Sequence, residues 1–260
     1  MADFNELVTE AMTAPFSGWD FSWLDRRSRS EPLPWDYSTR VAALASGART
    51  MLDMGTGGGE VLSRLPARAR RTVATEAWPP NVPVAGQRLL PLGIPVLQNE
   101  GARDNMDQDG ATDGGRLPFR DGSLELICNR HESFLAAEVS RVLAPGGRFV
   151  TQQVDYRDNE DLAQILGIEM PEEPDTWIGL AERQVTEAGL VIEEAARADE
   201  RLYFDDIAAV VYYLNAVSWS IPGYSLDKHR DRLRALHQDA SAWPVMTRGH
   251  RFLLVASKPG

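Results

Sequence analysis

The chain has 260 residues, 43% of them hydrophobic and 25% charged, with a formal net charge of -11 at pH 7. That length supports one large domain or two small ones around a packed core, and the acidic balance disfavours phosphate backbones and anionic lipid as partners. The single cysteine, Cys128, excludes an intramolecular disulfide, suits a reducing cytoplasm, and reads as a small buried hydrophobe.

The opening "MADFNELVTE" is acidic where a secretory signal would be basic, so no export signal is expected. The following "PFSGWDFSWLDRRSRSEPLPWDY" carries Phe16, Trp19, Phe21, Trp23, Trp35 and Tyr37 at spacings too irregular for one amphipathic element. Within it, Arg26, Arg27 and Arg29 of "DRRSRS" read as a solvated loop with the charge to meet an anionic acceptor.

From residue 50 to 154, short β-rich runs alternate with helical ones, the pattern of a parallel sheet with helices on its faces. Strands are predicted over 50–54, 71–76, 94–98, 124–128 and 147–154. Helices are predicted from the glycines to residue 64, over 83–90 after "WPPN", and over 134–143, where "APGG" stops the last one. The acidic, Gly-rich "NEGARDNMDQDGATDGG" reads as an exposed loop.

Beyond the sheet, Ile207, Val210, Val211 and Leu214 follow helical spacing, with Tyr212 and Tyr213 near the edges of that stripe. The uncharged run 207–226 is interrupted by Asn215, Ser218, Ser220, Pro222 and Gly223, which argues against a membrane span. "HRFLLVASKPG" reads as a closing strand. His229, His237 and His250 lack paired ligand spacing, so no metal site is expected, and they read as solvated surface.

The richest signal is "MLDMGTGGGEVL", four glycines in five positions between a strand-like and a helix-like run. Such a turn brings backbone N–H groups and a helix N-terminus against a ligand with no side chains between. A phosphate-binding loop needs Lys and then Ser or Thr after its last glycine, whereas Glu60 and Val61 follow Gly59. A dinucleotide fingerprint counted from Gly55 reaches Glu60 where its last glycine belongs, and a carboxylate there repels a pyrophosphate.

What remains, Asp53-x-Gly55-x-Gly57-x-Gly59, resembles the first motif of the class I S-adenosylmethionine-dependent methyltransferases. Glu76 ends the second strand, placed for hydrogen bonds from both ribose hydroxyls. "LPFRDGSLELICNRHE" looks like the fourth-strand motif of the family's small-molecule members, and "EVSRVLAPGGRFVTQQV" like the helix, turn and fifth strand after it. The resemblance implies an α/β Rossmann-like fold: a mostly parallel seven-stranded sheet with helices on both faces and aromatic-rich lid segments at each end. It implies one domain, with an N-terminal cap (1–48), a cofactor-binding core (49–198), an acceptor-side helical segment (199–247) and a final strand (248–260).

The cofactor implied is S-adenosylmethionine, with S-adenosylhomocysteine as product. A sulfonium cation suits a site edged by Asp53, Glu60 and Glu76. By family analogy Gly55, Thr56 and Gly57 line the methionine part, Asp53 orients its amino group, and Gly59 permits close helix packing. Ala77 and Trp78 follow Glu76, with Trp78 either against the adenine face or packing. The family's adenine-holding acid or amide falls in a long loop offering Glu100, Asp104, Asn105, Asp107 and Asp109, with no choice among them.

Methyl transfer is an in-line displacement that mainly requires alignment and exclusion of water, with a base only for an acceptor that arrives protonated. In "NRHES", Asn129 is expected to touch the cofactor, and His131 and Glu132 to face the acceptor. His131 is then either the proton acceptor or the start of the following helix. The flanking aromatics suggest an apolar or aromatic small acceptor. Two other readings stay open. One is an RNA base methyltransferase using Arg26 to Arg29 and "ARARR", the other a non-catalytic S-adenosylmethionine-binding protein.

Overall fold

The computed structural model describes residues 2–102, 114–172 and 176–260. Its parallel strands fall where the apolar runs put them: β2 (Thr50–Met54), β3 (Arg71–Glu76), β4 (Val96–Gln98), β5 (Leu124–Arg130) and β6 (Leu143–Val154). β4 is shorter than predicted and follows Pro95, which has no N–H to donate to a ladder. The connecting helices are α3 (Glu60–Arg64), α4 (Asn81–Leu89) and α5 (Ala136–Val142).

The sheet has eight strands in the order β1-β7-β8-β6-β5-β2-β3-β4. β8 (Val245–Ser257), the predicted closing strand, inserts antiparallel between β6 and β7 (Val191–Phe204). Sequence reading missed β7, whose alternation sets Glu, Asp and Arg against Ala and never exposes an apolar stripe. It crosses the expected boundary at 198, so residues 199–204 are strand and not helix. The eighth strand, β1 (Ser28–Ser30), lies in the segment expected to be a solvated loop and pairs antiparallel with β7, Ser28 opposite Phe204.

Helices cover both faces. α2 (Tyr37–Ala45), α3 and α4 bury Val41, Leu62 and Leu89 against Met51, Leu126 and Val150. On the other face, α5 and α7 (Trp177–Glu187) bury Val139 and Val185 against Leu52, Ile127 and Phe149. A third cluster gathers α1 (Phe4–Thr13), α6 (Glu160–Leu166), α8 (Ile207–Ala216) and α9 (Leu226–Gln238). Carboxylate and hydroxyl caps start the helices that flank the core: Asp3, Asp36, Thr176, Asp206 and Ser225 each accept a backbone N–H of the first turn.

α8 is buried around nearly its whole circumference, so Tyr212 and Tyr213 are core residues, not edge residues. The two aromatic clusters, far apart in sequence, meet here. Trp23 stacks on Tyr212 at 4.6 Å, and Trp19 meets Trp219 edge-on at 5.7 Å. The histidines expected on the surface are also drawn in. His250 is buried with Nδ1 2.8 Å from Asp199 Oδ1, His237 packs on Phe4, and His229 stacks on Tyr224. Among the described residues, no helix is long and apolar enough to cross a membrane.

Candidate active site

The order β5-β2-β3 puts the carboxyl ends of three parallel strands side by side, with Met54 level with Thr75 on one flank and Asn129 on the other. The connections that leave β2, through α3, and β5, through α5, run to opposite faces of the sheet, which opens a crevice between these strand ends. The glycine loop crosses it. Gly55, Gly57 and Gly59 take φ of 70°, 62° and 79°, the left-handed region that an L side chain adopts only at a cost.

Three hydrogen bonds fix the loop. Thr56 N–H donates to Thr75 O (2.9 Å), Thr56 Oγ1 to Asp53 Oδ2 (2.7 Å), and Gly57 N–H to Glu76 Oε2 (2.6 Å). The other oxygen of Glu76 accepts from Trp78 N–H at 2.8 Å. A Cβ on Gly59 would fall 2.8 Å from Leu89 Cγ, so this glycine does allow the α3–α4 approach expected of it. Glu60, expected to edge the site, is buried against Gly58 of the loop and its charge is taken by Arg88.

Burial pushes the Asp53 carboxyl up to about 6 and also raises that of Glu76. Glu132 is pushed up to about 7, first by burial and then by the nearby Glu76. Its side chain lies inside the crevice: a Cβ on Gly55 would sit 2.4 Å from Glu132 Cγ, and one on Gly101 2.7 Å from Glu132 Oε1. Beside it a narrow cavity of about 20 Å³, room for a single water, is lined by Gly55, Ala77, Asn99, Glu100 and Phe134.

A second cavity, about 420 Å³, opens on the α2 side of the same strand ends, lined by Pro32, Trp35, Tyr37, Val61, Arg130, Gln152 and Glu200 among others. Arg130 and Glu132, two residues apart, therefore line different cavities. His131 stands between them at φ 58°, its N–H bonded to Gln152 O (2.9 Å) and its Nε2 3.5 Å from Gln152 Nε2. Its imidazole is reached by solvent yet surrounded by protein mass, which together with Arg130 and Arg251 holds its pKa well below the usual histidine value. It does not start α5, which begins at Ala136.

Residues 52–151 match the family model described as a methyltransferase domain. The matched segment, from β2 to β6, is a methyltransferase domain. Among solved structures, the chain is similar to a putative methyltransferase of Bacillus halodurans (18% identity, 86% of this chain and 97% of that one covered, TM-score 0.54). It is also similar to the YcgJ protein of Bacillus subtilis (15% identity, 86% and 98% covered, TM-score 0.56). At these identities the likeness establishes the fold. No curated protein matches the chain in sequence.

Other residues singled out in the sequence take less direct positions. Asn129 is fully buried, its Oδ1 accepting from Thr151 Oγ1 (2.6 Å) and Gln153 Nε2 (2.5 Å), so its side chain braces the strand ends. Trp78 is 64% exposed, which rules out a packing role. Of the acids and amides offered for the adenine, Glu100 lines the narrow cavity, and Asp104, Asn105, Asp107 and Asp109 lie outside the described residues. Sequence reading missed Asn99, although it directly follows β4 and its N–H donates to Glu76 O.

The N-terminal segment reaches the loop as well. A Cβ on Gly57 would sit 2.4 Å from Trp19 Cδ1, and one on Gly18 2.9 Å from Gly58 Cα. Three of the six arginines proposed as phosphate contacts have local partners: Arg27 pairs with Glu10 and Asp206, Arg29 with Asp205, and Arg68 donates to the carbonyls of Leu62 and Ser63. Among the described residues, no group of His, Cys, Asp and Glu is placed to hold a metal.

Proposed function

We propose that the chain is an S-adenosylmethionine-dependent methyltransferase acting on a small-molecule acceptor in the cytoplasm, with the donor laid along the glycine loop, where Glu132 and the narrow cavity mark its place, and the acceptor in the larger cavity across residues 130–132. The observation that carries this reading is the pair of cavities separated by residues 130–132, one beside the glycine loop and one sized for a metabolite. When bound, S-adenosylmethionine supplies a methyl group made electrophilic by its sulfonium sulfur. Gly55, Thr56 and Gly57 leave main chain exposed to its amino-acid half, and Asp53 offers a carboxylate to its ammonium. Glu76 keeps lone pairs for ribose hydroxyls beyond those that meet Gly57 and Trp78. Ala77, Asn99 and Glu100 line the adenine side.

Glu132 belongs to the donor side, so the proton-accepting role falls to His131 alone. The imidazole is neutral at physiological pH, so its free lone pair faces the acceptor's proton. His131→Ala is expected to lower kcat about 10²-fold or more at saturating acceptor, with donor affinity unchanged. Full retention of turnover would remove the role.

The pH dependence of donor binding has a defined sign. Asp53 and Glu132 hold protons to about 6 and about 7 in the free protein, and a cation between them favours their ionised forms. Affinity for S-adenosylmethionine is expected to rise as pH increases through that range, with proton release visible by calorimetry in buffers of different ionisation enthalpy. Glu132→Gln should remove the upper part of the rise. A flat profile would show that neither acid meets the donor's charge.

The reading is tested with methyl-labelled donor incubated with metabolite extract and with total RNA from a bacterial host. Label in small molecules supports it. Label confined to RNA overturns it in favour of the nucleic-acid alternative, and donor binding without any transfer overturns it in favour of a binding protein.

A further inference from the structure

Building on the two-cavity reading, we propose that the acceptor carries an oxyanion, with Arg130 as the residue that selects it. The cavity of about 420 Å³ has apolar walls from Pro32, Leu33, Pro34 and Val61 and one aromatic wall from Trp35. Its charged lining residues are Asp36, Arg130 and Glu200. Asp36 is committed to capping α2, where Oδ1 accepts from Thr39 N–H at 2.6 Å. Glu200 faces Arg251 at 3.6 Å, and Arg251 is itself paired with Asp158.

Arg130 has no such commitment. Its guanidinium makes no hydrogen bond or ion pair with any described side chain, and it lies exposed at the cavity near the charges of Asp53, Glu200 and Arg251. A cation so placed, accessible to the cavity and unpaired, offers up to five N–H donors in a planar fork that fits a carboxylate or phosphate. Its strand neighbour adds a donor. Gln152 lies opposite Arg130 in the β5–β6 register, and its Oε1 is taken by Trp35 Nε1–H at 2.9 Å, which turns its amide N–H groups the other way, towards His131.

In a chain of net charge -11, a lone unpaired guanidinium within an apolar-walled cavity discriminates strongly. A neutral acceptor leaves it unsatisfied, whereas an anionic one gains a charge-assisted, bidentate contact. The same contact fixes the acceptor beside His131, so an apolar or aromatic body bearing an acidic group is the class of substrate this cavity takes.

The experiment uses the full chain saturated with S-adenosylhomocysteine, whose binding is first measured on its own. A library of small aromatic and aliphatic carboxylates and phosphates, each with its matched amide or alcohol, is screened by thermal shift. The same screen is run on Arg130→Ala and Arg130→Lys. The expected result is that hits are anionic, that their matched neutral forms fail, and that both variants weaken them at least about tenfold while holding S-adenosylhomocysteine within about twofold. Hits that are neutral, hits indifferent to both variants, or no anionic hit at all overturn the proposal. So does a variant that weakens S-adenosylhomocysteine but not 5′-methylthioadenosine, which would assign Arg130 to the donor's carboxylate. Absence of S-adenosylhomocysteine binding to the unmodified chain would instead overturn the two-cavity reading itself.

Discussion

Gly55→Ala is expected to abolish donor binding, raising the Kd for S-adenosylhomocysteine at least about 100-fold, while the chain stays folded. Two effects combine. The backbone at Gly55 has φ 70°, where a Cβ costs about 1–2 kcal/mol, and the added methyl enters the crevice 2.4 Å from Glu132 Cγ. Moving Glu132 aside relieves the contact in the free protein, but a bound donor meets the same methyl. Gly93→Ala separates the two effects, because Gly93 has φ 74° and nothing within 4 Å of its added Cβ. That control should lose about 1 kcal/mol of stability and none of its donor affinity. Calorimetry and thermal unfolding on both variants check the pair, and equal donor affinity in Gly55→Ala and unmodified protein would remove the loop from the donor site.

The second large effect is expected at Glu76. Both carboxylate oxygens work in the free protein, one on Gly57 N–H and one on Trp78 N–H, and both retain lone pairs for a diol. Glu76→Gln keeps the shape but turns an NH₂ group towards a backbone N–H and removes the charge. Donor affinity should fall by roughly 1.5–3 kcal/mol, about 10- to 150-fold, the range for hydrogen bonds to a charged group. Stability should fall by about 1–3 kcal/mol, because one loop N–H is left buried without an acceptor. A split is informative here: lost stability with unchanged donor affinity would make Glu76 a brace for the loop and nothing more.

Legibility in the sequence followed local chemistry. β2, β3, β5 and β6 were readable because each is an apolar run bounded by glycine, proline or charge, and the loop at Gly55 was readable because its glycines stand at fixed offsets from Asp53. β7 was not, since its alternation of Glu and Ala presents no apolar face. The Arg130 cavity was not readable either, because Trp35, Val61, Arg130, Gln152 and Glu200 come together only through the sheet order. Side-chain direction at the end of β5 likewise required the structure. Asn129, Arg130 and Glu132 sit within four residues, yet one is buried as a brace, one lines the larger cavity and one fills the crevice at the glycine loop.

The most direct measurement is titration calorimetry of the purified, folded chain with S-adenosylmethionine, with S-adenosylhomocysteine, and with a pyrophosphate-bearing dinucleotide. The glycine cradle and the carboxylates of Asp53 and Glu76 predict one site that takes both sulfur nucleosides and gives no heat with the dinucleotide. Heat with the dinucleotide alone would contradict the account.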